Sequence, residues 1–112
     1  METILKKRRR EIALKRYNEA CRRLKPAIDF LYKNGAREVY LFGSITDPQK
    51  FTEHSDIDIA VKGIPVERQL DLEGRLEDIL SGFEYDIIFL DVDGVREEIR
   101  ERIAREAILW KP

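Results

Sequence analysis

Cysteine, histidine, tryptophan and methionine each occur once in the 112 residues. A lone Cys21 rules out an internal disulfide and leaves no cysteine-based zinc site; it is expected to be a buried thiol. A lone His54 rules out a histidine metal cluster or a hydrolase triad built from this chain alone, and it is expected in a loop near any site rather than at its chemical centre. No uninterrupted apolar run approaches the roughly 18 residues that mark a membrane span. The basic run Lys6-Lys7-Arg8-Arg9-Arg10 leads into Glu11 and further charge, not into the apolar segment of a signal peptide. The expected location is therefore cytoplasmic, with no membrane partner.

With 43% hydrophobic and 38% charged residues, the composition is that of a folded globular domain, and 112 residues suit one domain spanning 1–112 with one modest core. The net charge of −1 conceals an asymmetry. Residues 1–40 carry 12 Lys/Arg against 5 Asp/Glu, whereas residues 41–112 carry 9 against 17. The basic part is expected to be chiefly a solvated helix face that can also attract a phosphate-bearing substrate or an acidic partner. Its Lys6 to Arg10 run lacks interleaved aromatics, which argues against a nucleic-acid surface.

From Ile4 to Tyr32, apolar residues recur at helical spacing through Ile12, Tyr17, Cys21, Leu24, Ile28 and Leu31, with Pro26 a candidate kink. Asn34-Gly35 signals a stop. Glu38 to Phe42 reads as a strand ended by Gly43, and Asp56 to Val61 as a second strand whose faces alternate between carboxylate or small residues and branched apolar ones. Pro65 suits the first turn of a helix, whose inner stripe is expected at Val66, Leu70, Glu73, Leu76, Ile79 and Leu80, with Ser81-Gly82 as its stop. Tyr85 to Leu90 forms a third strand. Asp93 is expected to cap a last helix with a buried stripe of Val95, Ile99, Ile103, Ala107 and Trp110. The fold class is thus α+β, a small mixed three-stranded sheet covered by helices, in the order helix, strand, strand, helix, strand, helix.

Residues i and i+2 of a strand point to one side, so Asp56 and Asp58 present two carboxylates on one face. Asp86, at the start of the third strand among Ile87, Ile88 and Phe89, can add a third. Oxygen-only sets of this kind suit Mg²⁺, which is commonly held by one or two carboxylates plus substrate phosphates. An Asp-x-Asp alone is unspecific, because exposed strand faces often carry acids. Gly43-Ser44 at the preceding strand end adds a place where backbone can approach a phosphate closely and where an amide and a hydroxyl can donate to it.

Leu41-Phe42-Gly43-Ser44, then Ser55-Asp56-Ile57-Asp58-Ile59-Ala60-Val61, then Tyr85-Asp86-Ile87-Ile88 resemble the minimal nucleotidyltransferases of the DNA polymerase beta superfamily. The motif core covers about residues 39–90. The resemblance implies the nucleotidyltransferase fold, with Gly43, Ser44 and Ser55 on the nucleotide and Asp56, Asp58 and Asp86 as catalytic, metal-binding carboxylates. It also implies two Mg²⁺ ions, ATP or another nucleoside triphosphate as donor, and attack at the α-phosphorus. Minimal domains of this kind resemble antitoxins paired with an all-helical HEPN protein, which would offer the acceptor hydroxyl. Self-association is a further possibility, and so is a module that neutralises its partner by contact alone.

One departure stands out. Members of that family frequently follow Gly-Ser with a small residue and an Arg-Gly pair, where this chain has Ile45-Thr46-Asp47-Pro48. A cationic phosphate contact is missing there or comes from elsewhere, such as the first helix or another chain. A second motif, Phe89 to Val95, looks like the nucleophile segment of haloacid-dehalogenase-like phosphatases. It lies too near the end of the sequence, and Asp91 and Asp93 read instead as a strand-to-helix turn with a cap.

Overall fold

The computed structural model describes residues 3–91 and 94–111. Helix α1 runs over Ile4–Lys33, with the Thr3 hydroxyl accepting from the Lys6 amide as N-cap. Pro26 lies within it but on the exposed side, and the helix continues past it unsplit. Strand β1 is Glu38–Phe42 and passes into a short 3-10 turn at Gly43–Thr46. Strand β2 is Ile57–Lys62, α2 is Val66–Ile79, β3 is Tyr85–Phe89 and α3 is Glu97–Glu106. A last short strand, β4, is Ile108–Trp110.

The sheet has four strands in the order β3-β2-β1-β4, not three. β1 runs antiparallel to both β2 and β4, while β2 and β3 are parallel. That parallel pair needs a crossover, and α2 supplies it. The last helix stops at Glu106, and Trp110 leaves the expected helical stripe to pair with Val39. Tyr32 secures this closure: its hydroxyl accepts from the Val39 amide and donates to the Trp110 carbonyl, joining α1 to both strands. Asp93, expected as the cap of α3, lies outside the described residues. The N-cap position is Arg96, which makes no side-chain capping bond.

Alternation along each strand gives the sheet two unlike faces. Val39, Leu41, Ile57, Ile59 and Val61 point to a core shared with Leu24, Ile28 and Leu31 of α1 and with Leu72, Leu76 and Leu80 at α2. The inner stripe of α2 therefore differs from the one expected. Val66 and Leu70 are 66% and 84% exposed, and Leu72 takes the core position. Both stripes share Leu76 and Leu80, so periodicity alone does not separate them. The opposite face carries a smaller cluster, Phe42, Ala60, Leu90 and Ile103, with Ile99 and Ala107 packed on it. Cys21 is half-buried, not sequestered.

Candidate functional site

The register places Phe42 opposite Asp58 and Asp58 opposite Asp86, in one cross-strand row. By strand parity this row lies on the α3 face, just beyond the patch where Ile103 covers Ala60 and Phe42. The apolar packing thus stops one step short of the carboxylates. Asp58 is half-buried and Asp86 is exposed. Asp56 lies immediately before β2 and lines two adjoining clefts of about 590 and 640 Å³.

Gly43 is required where it stands. Its φ is +73°, a region that side chains disfavour, and a Cβ there would lie 2.2 Å from Asp58 Oδ2. The glycine thereby lets the strand-ending turn close onto the carboxylate. Ser44 follows at the start of the 3-10 turn, where the first amides have no intrahelical partner. Thr46 fixes that turn by donating to the Gly43 carbonyl at 2.7 Å. Buried Ile45 anchors it from below, while Phe51, edge-on to Tyr17 with centroids 5.5 Å apart, anchors the loop that leads to Asp56.

Ser55, expected on the nucleotide, has its hydroxyl engaged locally, accepting from the Thr52 amide at 2.8 Å. This bond shapes the turn entering β2. Asp47, which would repel a phosphate if it faced one, is likewise occupied: its Oδ1 accepts from the Gln49 amide at 2.9 Å. His54 is exposed and lines a cleft with Asp56, as a loop residue. Asp91 accepts from the Gly63 amide and faces Arg37, a turn role consistent with its sequence reading.

The carboxylates of Asp56, Asp58 and Asp86 form no hydrogen bond or ion pair among the described residues. Burial, and after it the charge of Asp86, lift the Asp58 carboxyl from its usual 3.8 to about 6; Arg102 opposes the rise, while Asp56 and Glu106 add smaller contributions to it. A cation between Asp58 and Asp86 would relieve the repulsion, so the oxygen donors suit a hard divalent ion. Among the described residues, however, no three His, Cys, Asp or Glu side chains are gathered closely enough to hold a metal in this state. Asp58 and Asp86 are brought together by register, and Asp56 stands beside them without converging.

Arg102 is the residue that sequence reading missed. Its Nη2 lies 3.3 Å from the Cβ position built on Gly43, and its guanidinium is 5.4 Å from the centroid of the Phe42 ring. The signal for it was its place beside Ile99 and Ile103, the residues that turn α3 onto the sheet.

The fold and this row define a nucleotidyltransferase domain. The polymerase beta nucleotidyltransferase family model matches residues 25–110, and the chain belongs to that family. It is similar to a solved minimal nucleotidyltransferase at 29% identity, covering 79% of this chain and 88% of that one with a TM-score of 0.59. It is also similar to a chain of a toxin–antitoxin structure with AMP-PNP, at 23% identity, 76% and 70% coverage and a TM-score of 0.59. A third match is to a complex of tri-AMPylated Shewanella oneidensis HEPN toxin with its MNT antitoxin, at 21% identity, 80% and 71% coverage and a TM-score of 0.56. Comparison with curated proteins found no match. No helix among the described residues is long and apolar enough to cross a membrane.

Proposed function

We propose that the protein is a Mg²⁺-dependent nucleotidyltransferase that moves AMP from ATP to a hydroxyl of a HEPN-type partner, as the antitoxin of a two-protein pair. The observation that carries this reading is Gly43 set against the paired Asp58 and Asp86: a backbone position cleared of side chain beside two carboxylates that make no hydrogen bond or ion pair among the described residues. The toxin–antitoxin structures with AMP-PNP and with an AMPylated HEPN toxin support the choice of nucleotide and partner.

Asp58 and Asp86, with Asp56 closing in, would hold the metal, which supplies charge neutralisation at the α-phosphate and the departing pyrophosphate. The Gly43-Ser44 amides and the Ser44 hydroxyl receive phosphate oxygens and orient the chain of phosphates. The acceptor oxygen forms its bond to the α-phosphorus as the bond to the bridging α–β oxygen breaks and pyrophosphate leaves. Asp86, exposed at the rim, takes the acceptor's proton. The clefts that meet at Asp56 give room for the base and for a partner's side chain.

A second reading, neutralisation by contact alone, is favoured by one observation: the three carboxylates do not converge into a metal-holding group here. Incubation with α-labelled ATP, Mg²⁺ and a candidate HEPN-type partner separates the two. Label on the partner that vanishes in Asp56→Asn and Asp58→Asn supports transfer. If the wild type labels nothing, yet it and both variants still neutralise the partner, transfer is rejected.

A further inference from the structure

From the structure we infer that Arg102 of α3 is the triphosphate-binding cation of this site, filling the role that the segment after Gly43-Ser44 leaves open. This rests on the nucleotidyltransferase reading above. Ile45-Thr46-Asp47-Pro48 contains no cation, and Asp47 is turned into its own loop. A triphosphate seated on Gly43-Ser44 therefore needs positive charge from another element. The guanidinium of Arg102 is already at that end of β1, with Nη2 3.3 Å from the Cβ position of Gly43.

Two further features suit it to the task. Buried Ile103 and half-buried Ile99 pack α3 onto Phe42 and Ala60, so Arg102 projects from a fixed mount beside the turn. Its ion pair, to Glu106 at 3.2 Å, joins side chains that are 47% and 43% exposed. Such solvated pairs contribute little and exchange readily, whereas a guanidinium fork matches phosphate oxygens in pairs. Phosphate can therefore displace Glu106 without cost to the fold. Arg16, which shares a cleft with Asp56, lies 4.6 Å over the Phe83 ring, and neither Gly43 nor Ser44 lines that cleft.

The test is calorimetric titration of the full chain with Mg²⁺ and either α,β-methylene-ATP, which cannot be cleaved at the α–β bridge, or AMP. Wild type, Arg102→Ala, Arg102→Lys and Asp58→Asn are compared, with melting curves to confirm that each is folded. Arg102→Ala is expected to weaken the triphosphate analogue about 10- to 100-fold, the loss expected for a charge-assisted bond, and to change AMP binding far less. Arg102→Lys should recover part of the loss, since it keeps the charge but not the fork. Equal analogue binding by wild type and Arg102→Ala, or equal weakening of analogue and AMP, overturns the role of Arg102 and leaves the transferase reading intact. A wild type that binds no analogue, with Asp58→Asn no different, overturns both.

Discussion

The two faces of the sheet follow opposite rules. The face under α1 and α2 is dry, and Leu24, Ile28, Leu72 and Leu76 are each at most 1% exposed. The α3 face carries only a small apolar cluster and then breaks off at Asp58 and Asp86, which meet no protein donor among the described residues. Folding free energy comes mainly from the first face, because burial scales with apolar area removed from water. The second face gives up some of that burial to keep carboxylates, a bare glycine and an arginine at its surface. A domain of this size can do both because strand alternation sends neighbouring residues of β2 to different tasks.

Paired substitutions test that division most strongly. Leu76→Ala on the dry face should cost about 2–5 kcal/mol in denaturant unfolding, the usual loss for truncating a buried leucine. Asp86→Asn on the other face should leave unfolding within about 0.5 kcal/mol while lowering nucleotidyl transfer by about 100-fold or more. Similar stability losses from both variants would erase the contrast.

A smaller effect follows from Asp58. Its carboxyl is raised to about 6, so between its usual 3.8 and that value the folded chain holds a proton the unfolded chain has released. Stability from this group therefore falls as pH rises through that window and stays lower above it. The loss is on the order of 1 kcal/mol once solvent screening of the half-exposed group is allowed for. Asp58→Asn should match wild type near pH 3 and melt higher at pH 7. Parallel melting curves across that range would argue against the raised carboxyl.

Much of this layout was legible in the sequence. Alternation in Asp56 to Val61 and the apolar run in β3 identified the strands, because parity is written locally, whereas the register that sets Asp58 opposite Asp86 exists only in the assembled sheet. The α2 face was not, since Val66 and Leu70 continue one helical stripe while Leu72 belongs to another, and only contact with α1 and the sheet chooses between them. β4 was hidden for a related reason: Ala107 and Trp110 fit the stripe of α3, and the pairing of Trp110 with Val39 is a long-range event. Arg102 escaped notice because its proximity to Gly43 exists only after α3 packs on the sheet. The smallest expected effect tests the α2 reading: Leu70→Ser, at an exposed site, should shift stability by no more than about 0.5 kcal/mol. A loss comparable to that of Leu76→Ala would restore the stripe expected from sequence.

The central claim is that the α3 face is where a divalent cation and nucleotide are held. Amide NMR spectra recorded during titration with Mn²⁺, a paramagnetic substitute for Mg²⁺, test it directly. The account predicts early broadening of Gly43, Ser44, Asp58 and Asp86, with Leu24 and Leu72 of the dry face unaffected. Broadening centred on Glu73 and Glu77 of α2, or none at any Mn²⁺ concentration that leaves the chain folded, would contradict it.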